Sequence, residues 1–252
     1  MQNRDLIKIL GVNIDNVTKD EMGNRIKELV EESNKTCKMV VSPNTEFIMT
    51  AWKDKEFWEI LNKADLATPD SVGVSIGGKM QKKPFKARIP GQEVFRKTIE
   101  VGEKEGWTFY FLGGEEGIPE KARDSVLKDY PNAKIIGCHE GFFVTDKEED
   151  VIAEINRLQP NVLFVATGHP RQEKWIYHHK NELKVDIAFG QGGTFDYEAG
   201  KIPRAPVKFQ KLGIEWLWRL FKEPSRIKRM MQLPEYLIKL TFVKDKTKGR
   251  WE

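Results

Sequence analysis

The sequence predicts an α/β fold: an open, mostly parallel sheet with helices on both faces, followed by a C-terminal helical appendage. Short runs that are apolar throughout, such as Thr108–Leu112 and Val162–Ala166, indicate strands buried on both faces. Amphipathic stretches of helical period separate these runs, as a layered α/β domain requires. Beyond Gly200 no further strand-like run is apparent.

The predicted elements alternate regularly along the chain. The first helix opens at Thr18, because Thr18 and Glu21 form a capping-box pattern before apolar residues at helical spacing. Apolar, β-branched or aromatic runs predict six strands: Lys38–Ser42, Leu66–Thr68, Thr108–Leu112, Lys134–Cys138, Val162–Ala166 and Val185–Phe189. Amphipathic stretches predict the helices between them: Glu46–Leu61, Val72–Gln81, Gln92–Lys104, Pro119–Asp129, Lys147–Leu158 and Arg171–Asn181. Pro119 suits a first helical turn. The arrangement is Rossmann-like.

The C-terminal part of the chain has a different pattern. Val207–Phe221 is predicted to be a helix rich in Leu, Trp and Phe. Pro224 is predicted to start another helical stretch and Pro234 to interrupt it. The last nine residues (KDKTKGRWE) are predicted to be frayed.

Basic charge is concentrated in the same part. Residues 201–252 carry a net charge of +9, whereas residues 1–200 carry −5. Basic residues also lie beside an apolar stripe at helical spacing: Phe209, Leu212, Trp216, Leu217, Leu220 and Phe221 with Arg219, Lys222, Arg226 and Arg229. Such a helix either packs on protein or lies in lipid headgroups, and stripe and charge together favour an anionic membrane surface. We therefore divide the chain into an α/β core, 1–200, and a basic amphipathic appendage, 201–252.

Several classes of protein are disfavoured. No apolar run approaches the roughly 20 residues that cross a bilayer, and the N-terminus lacks the apolar segment of a secretion signal, so a cytoplasmic location is expected. Cys37 and Cys138 form no CxxC pair, which argues against a zinc site or a disulfide framework. His178 and His179 are expected on a solvated helix face. P-loop, GxGxxG, Asp-x-Asp and HExxH motifs are absent, so no metal or other cofactor is expected.

Small, polar and glycine-rich segments follow the predicted strands. They are Ser42–Asn44, Pro69–Ser71, Gly113–Gly114, His139–Phe142, Thr167–Pro170 and Gly190–Thr194. Ligands of open parallel sheets bind beyond the carboxyl ends of the strands. Each segment alone is an ordinary turn, but together they favour a ligand that carries phosphate.

Three side chains in or near these segments are candidates for chemistry. Asp70 is either a general base or the N-cap of the helix that begins at Val72, and the residues alone leave both open. Arg88 lies in a basic loop that is either solvated or folded over the crevice to bind a diphosphate. Gln172 has an amide able to hydrogen-bond substrate hydroxyls or phosphate oxygens.

Short motifs in a fixed order span nearly the whole chain. They are SPNTE (42–46), ADL (64–66) with PD (69–70), RIPG (88–91), FLGG (111–114), GFF (141–143), GHPRQE (168–173), GTFDYEAG (193–200), RAP (204–206) and GIEWLWRL (213–220). Their order and spacing closely resemble the WecG/TagA/CpsF family of glycosyltransferases, and within it the TagA branch.

The resemblance implies an activity and a location. The reaction would move N-acetylmannosamine (ManNAc), with inversion, from UDP-ManNAc to N-acetylglucosaminyl-diphospho-undecaprenol. The products would be ManNAc-β-(1→4)-GlcNAc-diphospho-undecaprenol, for the linkage unit of wall teichoic acid, and UDP. The protein would be peripheral on the inner face of a Gram-positive plasma membrane. Its partners would be the two substrates and the anionic membrane surface but no nucleic acid. The residues leave the oligomeric state open, since the apolar stripe could also be buried between the subunits of a homo-oligomer off the membrane.

The resemblance also implies roles for individual residues. The family's proposed general base falls on Asp70, and its substrate contacts fall on Asn44, Arg88 and Gln172, so the expected catalytic residues are Asp70, Arg88 and Gln172. Its nucleotide pocket falls on Gly141, Phe142 and Asp196. Its appendage arginines, which close over the diphosphate, fall on Arg219, Arg226 and Arg229. The expected substrate-binding set is completed by Gly113 and by Ser42, which keeps the hydroxyl of the Thr that many relatives have there.

Three alternatives remain open from the residues. One is a related transferase that uses another UDP-sugar, such as ManNAc uronic acid, on a lipid-linked acceptor. Another is a Rossmann-type NAD-binding oxidoreductase, which would need a glycine fingerprint and an acidic ribose-binding residue. A nucleic-acid-binding module ranks lowest, because residues 1–200 are net acidic and no reading motif appears.

Overall fold

The computed structural model describes residues 4–141, 148–203, 206, 209, 218, 232–243 and 247–251. Its strands are β1 (Leu6–Ile9), β2 (Val12–Asp15), β3 (Lys38–Val41), β4 (Leu66–Ala67), β5 (Thr108–Gly113), β6 (Lys134–His139), β7 (Val162–Ala166) and β8 (Ile187–Gly190). Its helices are α1 (Lys19–Ser33), α2 (Thr45–Lys53), α3 (Lys55–Asn62), α4 (Val72–Met80), α5 (Gly91–Glu105), α6 (Ile118–Asp129), α7 (Glu148–Leu158), α8 (Arg171–His179), α9 (Thr194–Glu198) and α10 (Gln232–Phe242).

Six strands form one parallel sheet in the order β4-β3-β8-β7-β5-β6. These are the six strands that the apolar runs predict, with ends that differ by a residue or two. All of them run in the same direction, so the segments after each strand meet at one edge. The predicted α/β class and the open, parallel sheet are confirmed.

Two hydrophobic cores cover the two faces of the sheet. Side chains alternate between them along each strand, as Val40 and Val41 of β3 do. The first core lies beneath α2, α3, α4, α7, α8 and α10, and the second beneath α1, α5, α6 and α9. Because helices shield both faces, strands such as β7 are buried at every position, which explains their uninterrupted apolar sequence.

Local signals explain where several helices begin. Thr18 accepts a hydrogen bond from the backbone N–H of Glu21, whose carboxylate accepts from the Thr18 N–H, so the predicted capping box is present. Pro119 lies in the first turn of α6, as predicted. The prediction of one helix over Glu46–Leu61 is wrong. Asp54 ends α2 and also accepts from the N–H of Phe57 as the N-cap of α3, so the chain turns there.

A hairpin precedes the sheet and was not predicted. Strands β1 and β2 pair antiparallel, joined by a turn at Leu10 and Gly11 that takes positive φ at both residues. Asp15 at the end of β2 is 4% exposed and receives two hydrogen bonds from Arg4, as well as the backbone N–H of Ala67 at 2.7 Å. The hairpin is thereby joined to the β4 edge of the sheet.

One prediction for the C-terminal part is wrong: residues 247–251 are packed rather than frayed. The carbonyl of Thr247 accepts the backbone N–H of Gly11 at 3.1 Å, and the Trp251 indole donates to the Ala51 carbonyl at 2.8 Å. Pro234 lies in the first turn of α10, where proline is tolerated, and the stretch that it is predicted to interrupt lies outside the described residues.

Helix α10 packs against α2 and α4. Its Tyr236 is fully buried and donates to the carbonyl of Gly73 at 2.9 Å. Of the predicted helix Val207–Phe221 the structure describes Phe209 and Trp218, both helical, with ring centroids 5.7 Å apart. The helical stretch predicted to start at Pro224 lies outside the described residues from 224 to 231. The division of the chain into 1–200 and 201–252 stays a prediction.

Candidate active site

The segments after the parallel strands form a crevice along one edge of the sheet. In the order of the strands across the sheet, the segments after β4, β3, β8 and β7 begin with Thr68, Ser42, Gln191 and Thr167. The segments after β5 and β6 begin with Gly114 and Glu140. This edge is the place where open parallel sheets bind ligands.

Asp70 lies at the β4 end of this crevice and is half-buried. The alternative of Asp70 as a helix cap is wrong, because Ser71 is the N-cap of α4 and its hydroxyl accepts from the N–H of Val74. The backbone N–H of Asp70 donates to the carbonyl of Pro43 at 3.3 Å, which joins the β4 and β3 segments. The carboxylate is therefore not committed to the start of α4.

The loop that carries Arg88 runs along the same end of the crevice. The N–H of Ile89 donates to the carbonyl of Pro69 at 2.8 Å, directly beside Asp70. Arg88 is half-buried, whereas its neighbour Lys86 is exposed and pairs with Glu21 at 2.9 Å. The loop is thus docked by its backbone and not simply solvated.

The start of α5 shows what faces Asp70. A methyl group placed on Gly91 would lie 3.9 Å from Asp70 Oδ2, 3.9 Å from Gln191 Oε1 and 4.0 Å from Ser42 Cβ. The carboxylate, the buried amide and the serine therefore border one small space beside Gly91. A glycine there leaves that space open.

Ser42 and Asn44, the predicted contacts on the β3 segment, both have partners within the protein. The Ser42 hydroxyl is buried and accepts from the hydroxyl of Thr68 at 3.0 Å. Asn44 is the N-cap of α2, where its side-chain oxygen accepts from the N–H of Phe47 at 3.1 Å. This cap fixes the start of α2 next to the crevice. Their contacts with substrate stay predictions.

Gln172 joins two glycine loops at the centre of the crevice. It is 2% exposed, and its Oε1 accepts from the N–H of Gly168 at 3.1 Å and of Gly192 at 2.9 Å. Its Nε2 donates to the buried carboxylate of Glu173. The amide therefore holds the segments after β7 and β8 together, and its predicted contact with substrate stays a prediction.

Glu173 continues this network behind the crevice. Its second carboxylate oxygen lies 3.2 Å from His169 Nδ1, and His169 Nε2 lies 3.0 Å from the Thr50 hydroxyl. The His169 ring also stacks on Phe47, with ring centroids 4.2 Å apart. This histidine is thus held between α2 and α8 as part of the framework, and it was not singled out from the sequence.

Glycines permit close backbone approach at the β5 end of the crevice. Gly113 has a φ of +135°, and a Cβ there would lie 2.5 Å from the backbone of Ala166. A Cβ on the buried Gly141 would lie 2.8 Å from the Cα of Gly113, and the Gly141 N–H donates to the Gly114 carbonyl at 2.8 Å. Side chains are excluded from this junction, so the backbones at the ends of β5 and β7 and after β6 pack directly against one another.

The remaining predicted residues are only partly described. Asp196 lies half-buried in α9, 3.7 Å from the ammonium of Lys201. Phe142, Arg219, Arg226 and Arg229 lie outside the described residues, so their predicted roles stay predictions. Within the described ranges no three or more His, Cys, Asp and Glu side chains are grouped to hold a metal, and no helix there has the length and apolarity to span a bilayer.

The other reactive side chains lie away from the crevice or are protected. His178 is exposed and pairs with Glu56 at 2.6 Å, which agrees with a solvated face, while His179 is half-buried beside Glu182. Burial raises the pKa of the Cys37 thiol to about 12 and that of Cys138 also to about 12. Both thiols are therefore protonated at neutral pH.

Gln191 is the crevice residue that sequence reasoning missed. The sequence places it only in a glycine-rich segment, but the structure makes it 5% exposed. Its Nε2 has no hydrogen-bond partner among the described residues. The sequence did contain one signal, a polar residue placed directly between an apolar strand and Gly192. A buried strand ends inside the molecule, so the residue that follows it is expected to be buried as well.

Comparisons with known proteins show what the whole chain is similar to. The family described as "Glycosyl transferase WecG/TagA/CpsF family" matches residues 7–250. Proteins named N-acetylglucosaminyldiphosphoundecaprenol N-acetyl-beta-D-mannosaminyltransferase from Staphylococcus aureus strains MW2, NCTC 8325 / PS 47 and COL are each 30% identical over 246 residues. The matched region covers 98% of this chain and 96% of each relative.

Proposed function

Because the chain belongs to the WecG/TagA/CpsF family of glycosyltransferases, we propose that it transfers ManNAc from UDP-ManNAc to N-acetylglucosaminyl-diphospho-undecaprenol. The names of the relatives support the transferred sugar and the acceptor. The product would be ManNAc-β-(1→4)-GlcNAc-diphospho-undecaprenol, in the linkage unit of wall teichoic acid. Family membership sets aside the oxidoreductase and the nucleic-acid-binding module.

The observation that carries the mechanism is the position of Asp70. Its carboxylate borders the space beside Gly91 together with Ser42 and Gln191, and Ser71 rather than Asp70 caps α4. In the proposed step Asp70 takes the proton of the acceptor hydroxyl while that oxygen attacks the anomeric carbon of the donor. The bond from the anomeric carbon to the β-phosphate oxygen breaks, and the electron pair leaves with UDP. Attack opposite the leaving group inverts the anomeric configuration.

The β5 end of the crevice suits the nucleotide. Gly113, Gly141 and Ala166 approach one another closely there, and small residues let a flat base and a ribose come near the backbone. Asp196 provides a carboxylate for a ribose hydroxyl, with Lys201 beside it. We assign stacking on the uracil to Phe142, following the resemblance.

Positive charge is needed where the diphosphate leaves. Arg88 is a cation in the loop that is docked, through the N–H of Ile89, on the carbonyl of Pro69. We propose that Arg219, Arg226 and Arg229 close over the diphosphate and stabilise the charge that develops on it, independently of a metal. Guanidinium groups suit this role because they bind phosphate oxygens in a bidentate manner.

A lipid-linked acceptor brings the reaction to a membrane surface. The exposed face of α10 carries Ile238, 57% exposed, and Phe242, 78% exposed, while its Lys239 lies over the ring of Trp52. Together with the net charge of +9 in residues 201–252, these exposed apolar groups support peripheral docking on the anionic inner leaflet of the plasma membrane. A homo-oligomer off the membrane stays a prediction.

The test of the proposed function is a transfer assay with purified protein. The donors are UDP-ManNAc, UDP-ManNAc uronic acid and UDP-GlcNAc, and the acceptor is N-acetylglucosaminyl-diphospho-undecaprenol, with and without EDTA. Transfer from UDP-ManNAc alone, unaffected by EDTA, supports the proposal. Preference for the uronic acid identifies the related transferase, and loss of activity in EDTA contradicts metal independence.

The role of the appendage is tested in the full chain, because deletion of 201–252 would remove the buried Tyr236 from the core. The double substitution Arg219→Glu, Arg226→Glu is expected to reduce both turnover and sedimentation with vesicles that contain phosphatidylglycerol. The control is Lys128→Glu with Lys134→Glu, two basic residues outside the appendage. Equal rates and equal sedimentation for both double variants would indicate a purely structural appendage.

A further inference from the structure

Gln191 carries a hydrogen-bond donor that no described residue accepts. The residue is 5% exposed, and its Oε1 accepts from the Thr194 hydroxyl at 3.1 Å. Its Nε2 has no partner among the described residues. Buried polar atoms are almost always hydrogen-bonded, so an amide with one satisfied end and one unsatisfied end requires an explanation.

The position of this amide is fixed from several sides. The N–H of Gln191 donates to the carbonyl of Val165 at 2.8 Å, and its carbonyl accepts the N–H of Thr194 at 2.9 Å. The Thr194 hydroxyl holds Oε1, which orients the two N–H groups of Nε2 away from that contact. The side chain is therefore a rigid donor at the end of β8.

The amide group of Gln191 borders, through its Oε1, the space that Asp70 borders. Gln191 Oε1 and Asp70 Oδ2 would each lie 3.9 Å from a methyl group on Gly91. A ligand group that enters this space meets a carboxylate and a neutral amide. A phosphate would be repelled by the carboxylate, whereas a hydroxyl or an amide carbonyl oxygen would be accepted.

The order of the strands places Gln191 between the two ends of the reaction. Asp70 follows β4 at one edge of the sheet, and the proposed nucleotide site lies near β5 and β7. Strand β8 lies between β3 and β7. The sugar under transfer is bonded to the nucleotide and is attacked by the hydroxyl that Asp70 deprotonates, so it must lie between these two ends.

We propose that Nε2 of Gln191 donates a hydrogen bond to a neutral oxygen, a hydroxyl or acetamido carbonyl, of the donor sugar. Gln191 is then a specificity-determining residue that recognises the sugar and not the nucleotide. This inference rests on the proposed glycosyl transfer. It adds a contact that the resemblance to the family does not assign.

The test removes the hydrogen-bond donor of Gln191 and keeps the length of its side chain. Gln191→Met retains the length of the side chain and removes both N–H groups. The matched control is Gln92→Met, because Gln92 is also a buried glutamine but its Nε2 donates to Glu198 at 3.1 Å. For each protein one measures the KM for UDP-ManNAc at saturating lipid acceptor, the KM for the acceptor, the Kd for UDP by calorimetry and the melting temperature.

The Gln191→Met variant is expected to raise the KM for UDP-ManNAc about tenfold, the loss of one hydrogen bond whose partner stays buried. Its Kd for UDP and its KM for the acceptor are expected to equal those of the wild type. The control is expected to change none of the three. An unchanged KM for UDP-ManNAc, an increase confined to the acceptor, or an equal loss of UDP affinity would overturn the assignment.

The wild-type protein separates failure of this inference from failure of the proposed function. If the wild type transfers another sugar from its UDP derivative, the proposed donor is wrong. The same comparison of Gln191→Met with Gln92→Met is then made with that UDP-sugar. A selective rise in its KM supports the role of Gln191, and its absence overturns it.

Discussion

Ile89 donates its backbone N–H to the carbonyl oxygen of Pro69 across 2.8 Å. This one hydrogen bond joins the loop that carries Arg88 to the strand end that carries Asp70. The cation and the carboxylate are therefore held at the same end of the crevice by main-chain contacts. Side-chain substitutions at either position can be made without removing the contact that positions them.

Arg88→Ala is expected to lower the transfer rate about tenfold to a hundredfold, the effect of losing hydrogen bonds from a cation to a diphosphate. The measurement is initial rate at saturating substrates. Lys86→Ala is the matched control, since Lys86 lies in the same loop but is exposed and pairs with Glu21. Equal rates for the two variants would show that Arg88 does not act on the substrate.

Gln172→Leu is expected to lower the free energy of unfolding by about 2–4 kcal/mol, because two backbone N–H groups lose their acceptor and the buried Glu173 carboxylate loses a donor. Those donors are the backbone N–H groups of Gly168 and Gly192. Urea denaturation measures the change. Gln81→Leu, which loses one bond to the Lys8 carbonyl at a half-buried position, serves as control with an expected cost of about 1 kcal/mol. A loss for Gln172→Leu no larger than that of the control would contradict the joining role.

Gly113→Ala is expected to destabilise the protein by about 3 kcal/mol or more, because the added Cβ meets the backbone of Ala166 at 2.5 Å. Gly117→Ala provides the comparison, since Gly117 also has positive φ, +76°, but nothing lies within 4 Å of its Cβ position. About 1 kcal/mol is expected there from backbone conformation alone. Thermal unfolding of the two variants side by side decides the matter, and equal midpoints would disprove the close approach.

Cys37 and Cys138 are expected to resist iodoacetamide in the native protein at pH 8. Burial raises each pKa to about 12, so only about one thiol in ten thousand is ionised at that pH. The raised pKa keeps the thiols protonated as the pH rises through the ordinary range of cysteine near 8.5. Mass spectrometry after alkylation with and without urea measures this protection. Carbamidomethylation of Cys37 without urea would show that the site opens.

The parallel sheet could be predicted because its strands carry their own signal. The run Val162–Ala166 is buried at all five positions, so the sequence contains no polar interruption. The hairpin β1–β2 was missed for the opposite reason. Its Lys8 and Asn13 alternate with apolar residues over only four positions per strand, and its attachment depends on Asp15 contacting Ala67, far away in the sequence.

The candidate site could be predicted in outline but not in its contacts. Strand ends and turn residues place Asp70 at the crevice, but its competition with Ser71 for the cap of α4 is decided only by backbone geometry. The split at Asp54 is hidden because apolar residues continue on both sides of it. Two features do not follow from local sequence, since both depend on how separate strands end together. They are the bonds of Gln172 to two loops and the Nε2 of Gln191, which no described residue accepts.

The most direct test of the account compares Asp70→Asn with Asp65→Asn. Asp65 is a neighbouring carboxylate that accepts the N–H of Met39 at 2.9 Å, a bond that an asparagine oxygen can also accept. Transfer from UDP-ManNAc to the lipid acceptor is expected to fall by a factor of about a hundred to ten thousand in Asp70→Asn, with an unchanged Kd for UDP, and to persist in Asp65→Asn. Substantial transfer by Asp70→Asn at wild-type UDP affinity would contradict the role of Asp70 as the base.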